Sequence, residues 1–149
     1  MPANSIQTLP ALRPITAATA PHLSEVSALA QDTAAPLRSI VFSPDSARLA
    51  CSTYEHVFIW DVRHRSLAAA RELPATSLAF SPDGATLAAA GRTVAFLDAR
   101  TGEPTGKLKG HEGGTTCIAY SADGALLASG GMDGIVRVGH LESRRLAHT

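Results

Sequence analysis

Ser39-Ile-Val-Phe-Ser-Pro-Asp45 is matched by Ser77-Leu-Ala-Phe-Ser-Pro-Asp83 and again by Cys117-Ile-Ala-Tyr-Ser-Ala-Asp123. Phe42 and Phe80 stand 38 positions apart, Phe80 and Tyr120 40. An apolar run follows each copy: Leu49-Ala50-Cys51, Leu87-Ala88-Ala89 and Leu127-Ala128-Ser129. A second run comes next, over 57–61, 94–98 and 136–140. Three copies in one order at nearly one spacing identify a repeat protein, in which each unit is one motif that buries its apolar faces against its neighbours.

Each unit reads as a meander of short strands. Ser81-Pro82-Asp83-Gly84 suits a type I turn: Pro presets φ at the second position, Asp tolerates the third and Gly takes the fourth. The strand before it is apolar on both faces in the first unit (Ile40, Val41, Phe42), which predicts a strand sandwiched on both sides. In the later strand Val57 and Ile59, Val94 and Phe96, and Val136 and Val138 recur with a period of two, so one face belongs to the core. The remaining segments, 66–73, 104–109 and 144–149, become fourth strands. Alanine, 27 of the residues, favours helix by propensity at 66–73, but the repeat register makes that stretch a strand.

With its Ser-Pro-Asp-Gly turn at 81–84, Ala128-Ser129-Gly130-Gly131, Asp133-Gly134, Trp60-Asp61 and Gly110-His111, the stretch 37–149 resembles the WD-repeat β-propeller family. The resemblance implies an all-β, partial propeller of three four-stranded antiparallel blades (37–74, 75–110, 111–149) behind an irregular leader (1–22) and an N-terminal strand and linker (23–36). It also implies a hydrogen-bonded tetrad of His, Ser or Thr, Asp and Trp within a blade. No unit holds all four. The third has His111, Ser129 and Asp133 but Gly139 at the Trp position. The first has Trp60 with Ser52 or Thr53, but no Gly-His pair. The second has Leu97 for Trp. Losing a Trp removes about 150–250 Å² of aromatic surface, roughly 4–6 kcal/mol at most. Trp60, Asp61, His111, Ser129 and Asp133 are expected to be structural.

The 149 residues carry 13 basic and 13 acidic side chains, spread evenly along the chain. Clustered Lys and Arg, which phosphate contacts require, are missing, so nucleic acid is not expected as a partner. No run approaches the ~20 apolar residues of a membrane span, and the start of the chain lacks a secretion signal. Cys51 and Cys117 are too few for a disulfide framework or zinc cluster and sit in apolar runs, which predicts buried thiols in a reducing cytoplasm. Eleven Arg against two Lys, with abundant Ala, suits a bacterial genome rich in GC.

Motifs for chemistry fail on spacing. Gly102-Glu-Pro-Thr-Gly-Lys107 is one residue short of a phosphate loop and Leu108 replaces its Ser or Thr. His111-Glu112 lacks the second His of a zinc helix. Ser129 lacks the Gly two positions earlier that a nucleophile elbow requires. No catalytic residue, metal ligand or cofactor site is expected. The resemblance instead implies a scaffold that binds proteins, whose turn tips carry Tyr54, Glu55, His56, Arg92 and Met132 as contact residues. Three blades fall below the four to eight of closed propellers, so the reading is the N-terminal part of a larger propeller or a fragment that self-associates through open edges. The alternative is part of a propeller enzyme, a hydrolase or quinoprotein.

Overall fold

A computed structural model describes residues 35–141 and the backbone of 145–147. The leader over 1–22, the expected strand over 23–30, His22 and His148 lie outside the described residues. Among the described residues twelve strands form three antiparallel sheets. Blade 1 is β1 (Ser39–Phe42), β2 (Arg48–Ser52), β3 (His56–Asp61) and β4 (Ser66–Glu72). Blade 2 is β5 (Ser77–Phe80), β6 (Thr86–Ala90), β7 (Thr93–Asp98) and β8 (Pro104–Lys109). Blade 3 is β9 (Thr115–Tyr120), β10 (Leu126–Gly131), β11 (Val136–His140) and β12 (Arg145–Ala147). Strands pair in chain order within each sheet, so each sheet is a meander. The alanine-rich stretch is strand β4, as the repeat register predicts.

One hydrogen-bond set recurs in the first turn of every blade. The Ser43, Ser81 and Ser121 hydroxyls donate to Asp45, Asp83 and Asp123 at 2.6, 2.5 and 2.5 Å. Each serine Oγ accepts the amide of Arg48, Thr86 or Leu126, and each aspartate accepts that of Ala47, Ala85 or Ala125. Gly84 and Gly124 take positive φ, 70° and 74°, at the fourth turn position. Ser46 adopts 57° in the first blade, a left-handed conformation that a side chain disfavours. The start of the turn from third to fourth strand is equally regular. The amides of Val62, Ala99 and Leu141 donate to the carbonyls of Ala47, Ala85 and Ala125, tying the start of each fourth-strand connection to the first turn.

Two cores lie between the blades. Blade 1 contributes Ala50, Val57 and Ile59 to the first and blade 2 Leu78, Phe80, Leu87 and Leu97. The opposite face of blade 2 contributes Ala88, Ala90 and Val94 to the second, where they meet Ile118 and Leu127 of blade 3. Among the described residues only blade 2 has a neighbouring blade on each face, and this corrects three expectations. Strand β1 is not sandwiched: Ile40 and Phe42 are exposed. Val136, in the column of Val57 and Val94, is exposed too. Cys117 is exposed, while Cys51 is buried as expected. Ile40, Phe42 and Val136 are sequence-equivalent to buried positions and Cys117 to the half-buried Ser39 and Ser77, but no further described blade lies against them.

Candidate functional site

The tetrad residues of blade 3 come together as a buried polar network. His111 precedes β9, Ser129 sits in β10, and Asp133 lies in the β10–β11 turn. His111 Nδ1 stands 2.9 Å from Asp133 Oδ1, and Nε2 stands 2.9 Å from Ser129 Oγ. An ionised carboxylate only accepts, so Nδ1 carries the proton and, in the neutral ring, Nε2 accepts from the Ser129 hydroxyl. Burial pushes the Asp133 carboxyl up, but the Ile135 amide, the His111 ring and the Arg137 charge outweigh it and hold it below the usual carboxylate range. Arg137 closes the network, donating from Nη1 to the Gly110 carbonyl at 2.9 Å and from Nη2 to Asp133 Oδ2 at 3.4 Å. The sequence reading missed Arg137; its signal is the i,i+4 spacing from Asp133. The ring fits because position 131 is glycine: a Cβ there would lie 2.2 Å from His111 Cβ.

Ser129, His111 and Asp133 thus have the connectivity of a Ser-His-Asp triad, but not its setting. The His111 side chain is 1% exposed and Ser129 is buried, on the face of β10 that carries Leu127 toward blade 2. The cavity of about 400 Å³ between blades 2 and 3 is lined by other residues, among them Phe96, Leu108, Tyr120 and Leu141. Asp83 and Asp123 also reach it. The Ser81 and Ser121 hydroxyls, with turn amides, hold these carboxyls below the usual range. They are therefore ionised turn caps rather than proton donors. Among the described residues no group of three or more His, Cys, Asp or Glu could hold a metal ion.

Trp60 is in another blade and does not meet this network. It is buried in β3, and its pairing with Leu49 matches Leu97 with Leu87 and Gly139 with Leu127, so the three do share one column. The same counting corrects the Ser52 or Thr53 assignment: Cys51, two residues past Leu49, stands in the Ser129 column. Burial pushes the Cys51 thiol up, and the neighbouring Trp60 side chain offsets part of that rise. Thr53 Oγ1 instead accepts the Glu55 and His56 amides, and Ser52 Oγ is buried without a partner. Asp61 caps the β3–β4 turn, accepting the His64 amide at 2.9 Å.

The expected contact residues lie on the turns joining second and third strands. Tyr54, Glu55, Arg92 and Met132 are exposed and His56 is half-buried, stacked on Phe58 at 5.7 Å. The linkers between blades share this end of the sheets. The Ala75 amide donates to Thr53, Thr115 to Gly91, and Met132 to Gly114. The Arg38 guanidinium lies 4.1 Å over the Tyr54 ring, a contact the sequence did not reveal.

The WD40 family (WD domain, G-beta repeat) matches residues 21–61 and 102–138, more than half of the chain. The chain belongs to the WD40 family. The WD40 matches hold Trp60-Asp61 and Gly110-His111 but skip most of blade 2, where Leu97 and the shortened turn at Gly91 depart furthest from the pattern. No curated protein matches the sequence. Among solved structures the chain is similar to the WD40 repeats of RRP9 and to U3-55K, each at 16% identity and a TM-score of 0.73 over 79% of this chain. It spans only 39% and 40% of those chains. WD40 domains are in general protein-interaction modules, and among the described residues no helix is long and apolar enough to cross a membrane.

Proposed function

We infer that this chain is a non-catalytic scaffold that binds a protein partner through the end of the blades carrying Tyr54, Arg92 and Met132. One observation carries the reading: side chains of the kinds enriched at interfaces, an aromatic, an arginine and a methionine, stand exposed on hydrogen-bonded turns of rigid sheets. The buried Ser129–His111–Asp133 network supports a structural role for those three, as the tight packing of Gly131 on the ring does. The same reading divides the chain into leader (1–22), strand and linker (23–36) and blades over 37–74, 75–110 and 111–149. It takes the chain as the N-terminal part of a larger propeller or an assembling fragment, bacterial and cytoplasmic, with the open blade edges available for self-association.

The test compares capture of a protein partner by the wild type, by the double variant Tyr54→Ala/Met132→Ala, and by Arg100→Ala in the β7–β8 turn at the other end of blade 2. Capture lost in the double variant and kept in Arg100→Ala supports the reading. Equal capture by all three, or a hydrolytic activity abolished by Ser129→Ala without loss of fold, overturns it.

A further inference from the structure

One kind of junction occurs twice between the described blades, and the two outward flanks carry residues aligned with its two halves. At each blade junction the first strand of the following blade lies against the first two of the preceding one: β5 on β1 and β2, then β9 on β5 and β6. The following blade presents Leu78 and Phe80, and the preceding blade presents Ala50 and Val57. Register assigns the counterparts on the open flanks. Ile40 and Phe42 align with Leu78 and Phe80; Ala128 and Val136 align with Ala50 and Val57. Leu78 and Phe80 are 5% and 8% exposed, against 62% and 58% for Ile40 and Phe42, and Val57 is 0% exposed against 66% for Val136.

A polar detail fits as well. Across the first junction the Leu78 amide donates to Ser39 Oγ at 3.1 Å, and the Ser39 column in blade 3 is Cys117, whose sulfur is a weak acceptor. None of the aligned flank residues is charged, so covering them desolvates no ion. On the blade 1 flank Phe58 and Trp60 are already buried, which leaves β1 as the open part, the strand the junction uses.

We propose that the occupant is a second copy of this chain, with β1 of each copy seated on β9 and β10 of the other. Used twice about a two-fold axis, this head-to-tail contact closes. The three described blades of two copies make six, within the range of closed propellers, whereas those of three copies would make nine. The inference rests on the propeller fold and not on any partner at the turn tips.

Light scattering coupled to size exclusion, with Phe42→Asp and Val136→Asp, tests it. The wild type is expected at twice the 15.4 kDa chain mass. Each variant alone is expected as a monomer, and their equimolar mixture regains dimer because one of the two contacts is intact. Both substitutions fall on exposed side chains, so circular dichroism should be unchanged. Maleimide labelling of wild-type Cys117 gives a readout without any variant: its rate should fall severalfold as dimer forms, since its counterparts at the two junctions, Ser39 and Ser77, are half-buried and a covered thiol reacts more slowly. A wild-type monomer with fully reactive Cys117, a species that grows without limit, or a dimer indifferent to both substitutions would each overturn the proposal. Tyr54→Ala/Met132→Ala should leave the dimer intact, which separates this outcome from that of the partner reading.

Discussion

Ser52 is a polar group that the fold buries without satisfying. Its hydroxyl has no hydrogen-bond partner, and the equivalent positions hold Ala90 and Gly130. An orphaned buried hydroxyl costs about 1–3 kcal/mol of desolvation, while a methyl of similar size at a site wholly removed from water costs none. Ser52→Ala is therefore expected to raise stability by about 1 kcal/mol, seen as a higher urea midpoint at unchanged slope. A lower midpoint would mean that the hydroxyl is satisfied after all. Nothing in the local sequence marks Ser52 as the unpaired member of the Cys51-Ser52-Thr53 trio. Which of the three faces Trp60, which caps the turn and which is trapped between blades depends on strand register.

The first turn of each blade carries an aspartate whose folded pKa is lowered. The Ser43, Ser81 and Ser121 hydroxyls are the main cause at Asp45, Asp83 and Asp123, followed by the amides of Ala47, Ala85 and Ala125. A lowered folded value stabilises the native state above the ordinary value of 3.8. That contribution fades as pH falls through the lower folded values. Urea midpoints should accordingly hold between pH 7 and 5 and drop below pH ~4. Asp83→Asn should lower the midpoint at pH 6 and shrink the drop between pH 6 and pH 3. An undiminished drop would show that the turn does not favour the ionised carboxylate. This element was legible in the sequence through the Ser-Pro-Asp spacing; the hydroxyl-to-carboxylate bond that sets its charge was not.

Within the described part of the molecule, burial is uneven, and stability should follow it. In β6 Leu87, Ala88, Ala89 and Ala90 are all buried, because blade 2 has a neighbour on each side. In β11 only Gly139 is buried. Strands with few buried contacts open locally at lower free energy. Amide exchange is thus expected to be slowest in β6 at every protein concentration, with β11 exchanging at least tenfold faster in the dilute protein. Exchange equally slow in both would mean that the three blades unfold as one unit.

By itself the sequence determined the single blade: strand period, turn chemistry and spacing act over a few residues, so three meanders could be read from it, and the family resemblance implied the meeting of His111, Ser129 and Asp133. The tertiary structure alone decided which apolar residues are core. Ile40, Phe42 and Val136 match buried residues of the other units in kind, yet they are exposed because burial belongs to a pair of packed faces and not to a strand. The Cys51–Trp60 contact, the Arg137 closure of the polar network and the Arg38–Tyr54 stack were likewise decided there, since each depends on where pairing sets neighbouring strands or turns.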